Sequence, residues 1–435
     1  MEVRTRFAPS PTGLLHIGGV RTALYAYLVA KKAKGKFFLR IEDTDQNRLV
    51  EGADKDIIET LKWLGLQFED EITYQSKRQK IYQEHAEKLV KEGKAYEKDG
   101  AIWFKINTAG KTVITDLAGN RQLEIPNQDQ KDFVILKSDK YPTYHLAHVV
   151  DDHLMATNPV IRGPEWIPSI PKHIQLFEAF GWEVTPYAHI PVILGPDKSK
   201  LSKRHGAKAA SEFRTDGFLP EAILNYMAFL GWTPPSGKEI LSVSEMAEEF
   251  DLKDVHVSSP VFDIVKLEWM NGEYIRKMSD EELLKSIEEY LSDISDSQLK
   301  NTKYEDREKL IKIIPLVKER IKKLSDFVPL TDFLFDNPEY EKDQFQISNF
   351  KFPISNTLNK VLDKLETIEK PWKADEFETT FRKLAEELGI SVSQMFQLIR
   401  VAISGQNVTP PLFESIQILG EEETLNRVKK ALSVV

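Results

Sequence analysis

The 435-residue chain carries 59 Lys and Arg against 68 Asp and Glu, a formal net charge of −9, with 41% hydrophobic residues and no cysteine. At about 150 residues per domain this length suggests roughly three domains with ample core. The lack of cysteine excludes disulfides and thiolate zinc sites, and no apolar run approaches the ~20 residues of a membrane helix. The acidic balance argues only weakly against an RNA partner, because RNA binding needs no more than a local basic face.

Residues 3–8 alternate polar and apolar like a strand, and Pro9, Pro11 and Gly13 break it. Val20, Ala23, Leu24, Tyr27 and Leu28 follow at helical spacing. Gly35 closes that helix as a C-cap would, and residues 36–41 form a second, largely apolar strand. A strand starting this early leaves no room for a targeting peptide, so the expected location is the cytoplasm. Ile57, Ile58, Leu61 and Leu64 predict a packing helix over 54–66, and Ile81, Leu89 and Val90 another over 77–94, closed by Gly93. From 95 to 140 the character changes to short strands at 102–106, 112–115 and 133–136, punctuated by Gly100, Gly110 and Gly119-Asn120. These read as an insertion into a sheet domain whose first half ends near residue 75.

From 141 to 232 the sheet resumes. Val149-Val150 and Val160-Ile161 are expected to be buried strand ends, with Asp151, Asp152 and Arg162 at the carboxyl edges, where ligands bind in open α/β sheets. Residues 171–180 and 219–230 are predicted helices, and Thr233-Pro234-Pro235-Ser236-Gly237 is the clearest linker. Beyond it the pattern is helical over 242–250, 280–291, 307–324, 356–366, 373–388, 392–403 and 421–432, with a polar interruption at 337–349.

Four clusters carry candidate chemistry. In His16-Ile17-Gly18-Gly19 the glycines each cost roughly 1 kcal/mol inside a helix. Close approach of backbone to a phosphate at a helix N-terminus would explain them, as would a tight turn capped by the histidine. Lys198, Lys200, Lys203 and Arg204 are either a solvated basic loop or mobile cations over a triphosphate, where Gly195 and Ser202 suit a loop that closes on substrate. Glu42, Asp43 and Asp45 suit a magnesium ion or an ordinary turn. Arg162 at a buried strand end requires a partner: Asp151 or Asp152 in an ion pair, or the carboxylate of a ligand.

Arg6-Phe7-Ala8-Pro9-Ser10-Pro11-Thr12-Gly13, His16-Ile17-Gly18-Gly19 and Arg40-Ile41-Glu42-Asp43-Thr44-Asp45 resemble the first signature of the glutamyl-tRNA synthetases, class I aminoacyl-tRNA synthetases. Lys200-Leu201-Ser202-Lys203-Arg204 resembles the second, and Tyr141-Pro142-Thr143-Tyr144-His145, Val149-Val150-Asp151-Asp152-His153 and Val160-Ile161-Arg162-Gly163 match between them. The resemblance implies an α/β fold: a Rossmann-like parallel-sheet catalytic domain (1–75 and 141–232) with a small inserted α+β domain (76–140), a shortened form of the relatives' tRNA acceptor-binding insertion. A stem-contact helical region (233–325) and an all-α anticodon-binding domain (326–435) follow. It implies ATP-dependent attachment of glutamate to tRNA-Glu through glutamyl-adenylate, by a monomer, with Mg²⁺ accompanying ATP.

By the same resemblance His16, Lys200 and Lys203 act on the phosphates, with Gly18, Gly19, Glu165 and Trp166 at ATP. Glu42 takes the α-amino group of glutamate, where glutaminyl relatives have a shorter acid. Arg162 takes the side-chain carboxylate, and Arg6, Ala8, Ser10, Tyr144 and His148 complete the pocket. His148 stands where many relatives have asparagine, and Pro164 where an acid is more usual. Relatives often carry a helical arm with cysteine-ligated zinc; here Lys98-Asp99-Gly100 passes directly into a strand, so no zinc is expected. Arg400, Thr409, Pro410 and Leu412 are the implied anticodon contacts, and Lys309, Lys312, Lys318, Arg320, Lys322 and Lys323 offer a basic face for phosphates. A paralogue that glutamylates a modified tRNA base would lack the helical tail, and a non-catalytic tRNA-binding protein would have no need of His16 or Lys203.

Overall fold

A computed structural model describes residues 2–201, 208–295, 304, 306–347, 350 and 352–435. The chain forms two compact units, residues 1–214 with 219–270, and residues 215–218 with 271–435.

The first unit begins β1 (Arg4–Phe7), α1 (Ile17–Lys32), β2 (Lys36–Ile41), α2 (Ala53–Trp63), β3 (Thr73–Tyr74) and α3 (Gln79–Lys91). β1 and β2 pair in parallel from Arg4↔Lys36 to Phe7↔Leu39, and β3 continues on the far side of β2. Parallel neighbours require a crossover, which α1 supplies. Next come β4 (Ala95–Lys98), β5 (Ala101–Phe104), β6 (Lys111–Asp116), β7 (Arg121–Pro126), β8 (Phe133–Leu136), α4 (Tyr144–Leu154), β9 (Val160–Arg162), α5 (Ile170–Phe180) and β10 (Tyr187–His189). The second set has the order β7-β6-β10-β9, parallel from β6 through β10 to β9, with β7 antiparallel on its β6 edge. Reciprocal backbone bonds between Arg4 and Asn158, at 3.2 and 2.8 Å, join it to β1. β6 is therefore a strand of the main sheet, and the separate antiparallel sheet is β4-β5-β8. That sheet packs through Phe104, Phe133 and Leu136 onto Leu89 of α3, Leu146 and Val150 of α4 and Phe177 of α5. At the β4–β5 turn both Asp99 (φ 51°) and Gly100 (φ 75°) are left-handed, as a two-residue hairpin of this kind requires.

Two local expectations are corrected. Residues 144–154 are helical, so Val149, Val150, Asp151 and Asp152 lie on α4 and not at a strand end. Leu146, Val149 and Val150 recur at three- and four-residue spacing toward the core, and a two-valine run is too short to separate strand from buried helix. Gly35 is not the helical cap either. Lys34 takes the left-handed position (φ 52°), whereas a Cβ on Gly35 would collide with the Val3 carbonyl oxygen. Gly35→Ala is accordingly expected to destabilise the protein by about 1–3 kcal/mol, the range for overpacking, read as a lower denaturation midpoint. An unchanged midpoint would show that the β1–β2 edge yields.

The unit ends with α6 (Ala210–Thr215), which reaches its boundary, α7 (Pro220–Phe229) and α8 (Val243–Glu249). α9 (Ile264–Lys277) then runs on into the second unit. That unit continues with α10 (Asp280–Ser295), α11 (Arg307–Val317), α12 (Phe327–Thr331), α13 (Ile354–Thr367), α14 (Ala374–Leu388), α15 (Val392–Ser404), α16 (Leu412–Leu419) and α17 (Glu421–Leu432). α9, α12 and α16 were not anticipated. The helix expected over 307–324 stops at Val317. Asp326 takes the Lys322 and Lys323 amides at 2.9 and 3.0 Å, and Leu324 N–H goes to the distant Gly217 carbonyl, so side-chain and tertiary partners replace the helical ones. Phe377, Phe381 and Leu384 of α14 face Met395 and Ile399 of α15, Phe413 and Ile416 of α16 and Val428 of α17 in one core. Gly389 (φ 65°) and Gly405 (φ 67°) cap α14 and α15. Among the described residues no helix is long and apolar enough to cross a membrane.

Candidate active site

Side chains alternate along a strand, so Thr5 and Arg6 leave β1 on opposite faces. Thr5 Oγ1 donates to the Ala26 carbonyl of α1 at 2.7 Å. Arg6 enters a buried cluster, donating to both Asp152 oxygens at 2.9 and 3.2 Å and to the Ile161 carbonyl at 3.1 Å. Arg40 and Glu42 share a face of β2 by the same alternation, and Arg40 donates to Glu42 at 3.0 Å and to Asp152 at 2.7 Å. Burial alone would push the Asp152 carboxyl up; Arg40 and Arg6 outweigh it and hold it well below the usual range. Burial pushes the Glu42 carboxyl up, with Arg40 and Arg6 opposing. Asp151 faces elsewhere, accepting from Gln75 at 2.8 Å, Arg78 at 2.9 Å and Tyr82 at 2.6 Å.

Both aspartates offered as partners of Arg162 are thus engaged by other cations. Arg162, 5% exposed, lies over the Tyr187 ring at 4.6 Å. Its Nε donates to His189 Nε2 at 3.1 Å, its Nη1 to Tyr144 Oη at 3.3 Å and to His148 Nε2 at 3.2 Å. His173 Nδ1 accepts from Nη1 and Nη2, each at 3.2 Å. Among the described residues no carboxylate lies within ion-pair distance of this guanidinium. Burial, with Arg162 adding to it, pushes His148 down to about 3 against the pull of Asp152, and drives His173 well below the ordinary imidazole value. Burial also lowers His145, to about 4, and His189.

Around this core the other expected pocket residues gather. Ala8 is half-buried and Ser10 exposed just past β1, where the Glu42 amide donates to the Pro9 carbonyl at 2.9 Å and brings the two strand ends side by side. Tyr144 stacks on Trp166 at 3.7 Å and 22°. Gly163 leaves the space that the Glu165 carboxylate occupies. Glu42, Asp43 and Asp45 do not converge. Glu42 is held by Arg40, Asp43 by the Ser76 amide and hydroxyl at 2.8 and 2.6 Å, and Asp45 is exposed. No metal-holding group of three or more acidic or histidine side chains is present among the described residues.

His16 is the N-cap of α1, its Nδ1 accepting from the Gly19 amide at 3.1 Å. A Cβ on Gly18 would sit 3.0 Å from that Nδ1 and one on Gly19 2.7 Å from Leu15 Cδ1, so Gly18 makes room for the cap and Gly19 for the Leu15 side chain. The surrounding protein, and then Lys200, lower the His16 pKa. A neutral ring whose Nδ1 accepts must carry its proton on Nε2. Lys200 is exposed on a turn that returns to Leu194, and Ala209 bridges back to His16. Lys203 lies outside the described residues. Arg21 of α1 fastens this region, donating to the Pro191 and Leu230 carbonyls.

In the helical unit Arg400 Nε donates to Thr409 Oγ1 at 3.1 Å and Nη1 to Gln397 Oε1 at 3.0 Å, while Gln397 reaches Asn407 Oδ1 at 2.6 Å. Gln346, Ile347, Ser393, Gln394, Gln397 and Asn407 line a cleft of about 340 Å³ here. Thr409 and Pro410 are buried, and Leu412 belongs to the helical core. Of the basic set near α11, Lys309 donates to the Leu334 carbonyl at 2.6 Å and Lys318 pairs with Asp280 at 3.1 Å.

The family model for the catalytic domain of class I tRNA synthetases (E and Q) matches residues 2–101 and 97–269, and that for an anticodon binding domain matches 282–432. A glutamate–tRNA ligase of Dehalococcoides mccartyi is 38% identical over 481 aligned positions, covering 99% of this chain and 97% of that protein. The chain belongs to the glutamate–tRNA ligase family of class I tRNA synthetases. Glutamate–tRNA ligase 2 of Thermoanaerobacter pseudethanolicus is 39% identical over 480 positions, covering 100% of this chain and 98% of its own. The crystal structure of a glutamate tRNA ligase from Elizabethkingia meningosepticum in complex with its amino acid superposes with a TM-score of 0.87 at 31% identity, covering 100% of this chain and 99% of that one. Alignments of 480 and 481 positions exceed the 435 residues present, so these relatives carry segments that this family member lacks. Its catalytic-domain match breaks at 97–101, the β4–β5 turn.

Arg40, His173, His189 and Arg21 were given no role by the sequence, and Asp152 was expected beside Arg162 rather than between Arg6 and Arg40. Arg40 was within reach, because it shares a strand face with Glu42. Lone histidines on α5 and β10 carried no local signal.

Proposed function

We propose that this chain attaches glutamate to tRNA-Glu in two steps, the first of which consumes ATP, in the cytoplasm and as a monomer. A glutamate α-carboxylate oxygen attacks the α-phosphorus of ATP, pyrophosphate leaves, and glutamyl-adenylate remains. The terminal ribose hydroxyl of tRNA then attacks the carbonyl carbon, and AMP leaves. No side-chain nucleophile is needed, so rate comes from positioning and charge stabilisation. The observation that carries the reading is Arg162, a buried guanidinium that meets only uncharged acceptors. A bidentate fork suits the side-chain carboxylate of glutamate. Glu42 receives the α-ammonium, and Arg6, Ala8, Ser10, Tyr144 and His148 wall the pocket.

His16 offers its Nε2–H to the phosphates beside the Gly18 amide at the α1 N-terminus, the Gly19 amide holds the ring through Nδ1, and Lys200 and Lys203 add cationic charge. ATP enters with Mg²⁺ as part of the substrate. Glu165 and Trp166 flank the adenosine side, and the stack of Trp166 on Tyr144 joins that side to the amino-acid pocket. Residues 233–325 contact the tRNA stem and 326–435 the anticodon. The amide-lined cleft beside Arg400 and Thr409 supports this, because unstacked bases are read by hydrogen bonds to their edges. Pro410 and Leu412 hold that loop from the core side. The family-model break at 97–101 supports a shortened acceptor-binding insertion, and with it no zinc.

The test is aminoacylation of tRNA-Glu and tRNA-Gln transcripts with labelled glutamate, by wild type and by Arg400→Ala. Wild type should charge tRNA-Glu. Arg400→Ala should raise the KM for tRNA by about ten- to a hundredfold, the scale of one lost base contact, without moving the KM for glutamate at saturating tRNA. Charging of neither tRNA, with glutamate transferred to a modified base instead, would sink the reading.

A further inference from the structure

Three imidazoles surround Arg162, and the donors and acceptors around each ring assign its proton. His189 Nδ1 lies 3.2 Å from Asp116 Oδ2, so the carboxylate takes that proton and Nε2 turns a lone pair to Arg162 Nε. His148 Nδ1 lies 2.6 Å from Asp152 Oδ2, leaving Nε2 to accept from Arg162 Nη1 and from Tyr187 Oη, the latter at 3.2 Å. His173 Nδ1 faces Nη1 and Nη2, which can only donate, so its proton lies on Nε2, 3.0 Å from His145 Nδ1. Three lone pairs from α4, α5 and β10 thus converge on one guanidinium.

We propose that His148, His173 and His189 act together as a collar of uncharged acceptors that orients Arg162 and leaves its positive charge for the side-chain carboxylate of the substrate. The inference rests on the reading of this site as the one that takes glutamate. Had a carboxylate occupied any of these three positions, the guanidinium would be paired before substrate arrives, and glutamine would fit almost as well as glutamate. Imidazoles fix the plane without cancelling the charge. Asp116 and Asp152 stand one ring farther out, where they set tautomers and do not touch Arg162. Tyr144, His148 and His173 compete for the two Nη1 hydrogens, and one Nη2 hydrogen has no acceptor among the described residues. That Nη2 hydrogen can take one oxygen of a ligand carboxylate with the collar intact, and the second bond of a bidentate fork then comes through Nη1, where one of three competing acceptors gives way. The depressed proton affinities of His148, His173 and His189 fit acceptors that stay uncharged at neutral pH. His173 and His189 are on this account positioning residues for glutamate selection.

The experiment measures KM for glutamate and for ATP in tRNA-dependent pyrophosphate exchange, with melting temperatures, for His173→Leu, His173→Asn, His173→Asp, His189→Leu and His189→Gln. Asn at 173 keeps an acceptor near the Nδ1 position and Gln at 189 keeps one near Nε2, whereas Leu removes both. The leucine variants should raise the glutamate KM by about ten- to a hundredfold, the scale for a lost hydrogen bond to a charged group, while the ATP KM stays within about twofold. Asn and Gln should recover most of the loss. His173→Asp should weaken glutamate as strongly and narrow its advantage over glutamine. If leucine and amide variants behave alike, or if the ATP and glutamate KM rise together, these histidines merely fill space and the collar is wrong. Should one leucine variant fail to fold, the pair at the other position carries the same comparison. Wild type that charges tRNA-Glu with insensitive variants overturns the collar alone; wild type that charges nothing with glutamate overturns both readings.

Discussion

Arg162→Ala is expected to cost glutamate about 3–5 kcal/mol, the range for breaking one partner of a buried charged pair, or roughly 10²- to 4 × 10³-fold in kcat/KM. Glutamine should lose much less, since it never offered the guanidinium a charge. The two amino acids are nearly isosteric, so shape cannot separate them and electrostatics must. The geometry sharpens this expectation. Asp151 is tied to Gln75, Arg78 and Tyr82, and Asp152 to Arg6 and Arg40, so removing Arg162 strands no carboxylate. The loss should therefore appear in glutamate use before it appears in stability. Arg162→Lys is the companion variant. It keeps the charge and loses the planar fork, and it should fall between wild type and alanine. Equal losses for glutamate and glutamine, or unfolding of the alanine variant, would make Arg162 a structural residue.

His16→Ala should lower the rate of adenylate formation by about 10²–10³, the scale for one preorganised donor to a developing charge. Alanine also removes the N-cap of α1, worth roughly 1 kcal/mol of stability, so it confounds two roles. His16→Asn separates them. Asparagine still caps the helix but its shorter amide cannot put a donor where Nε2 stands. It should melt like wild type and remain about as slow as alanine. The pH response gives a second check. The pKa of His16 lies below the ordinary imidazole value of about 6.5, so the ring is already neutral at pH 7. A neutral Nε2–H donor predicts no loss of adenylation rate as pH rises from about 7 to 8, whereas a required imidazolium would lose rate on that side. Fast adenylate formation by the asparagine variant would leave His16 as a cap only. The corresponding Lys203→Ala variant is expected to lose a similar factor in the same assay.

The helical contribution to tRNA use is better tested at Arg400 than by shortening the chain near residue 325. α11 and α16 belong to one compact unit from Asn271 onward, and Arg427 of α17 donates to the Phe333 carbonyl at 2.6 Å. A cut at 325 would divide that unit and expose its interior.

Much of the molecule was legible in the sequence because its signals are local. Helical spacing in Phe377, Phe381 and Leu384, the Pro and Gly punctuation after β1, and the contiguous His16-Ile17-Gly18-Gly19 depend only on neighbours along the chain. The juxtaposition of His16 with the Lys200 loop also followed, since both motifs are short and distinctive. What the fold alone decided involves single residues on separate elements. Asp152 joining Arg6 to Arg40, His173 and His189 meeting at Arg162, and Lys309 turning inward to the Leu334 carbonyl leave no periodic trace. The helical state of 144–154 belongs with these. Two valines beside two aspartates satisfy a strand end and a helix face equally, and only packing against Phe177 and Leu136 selects the helix. That choice rotates Asp151 and Asp152 to different sides of α4, and so it leaves Arg162 without a carboxylate of its own.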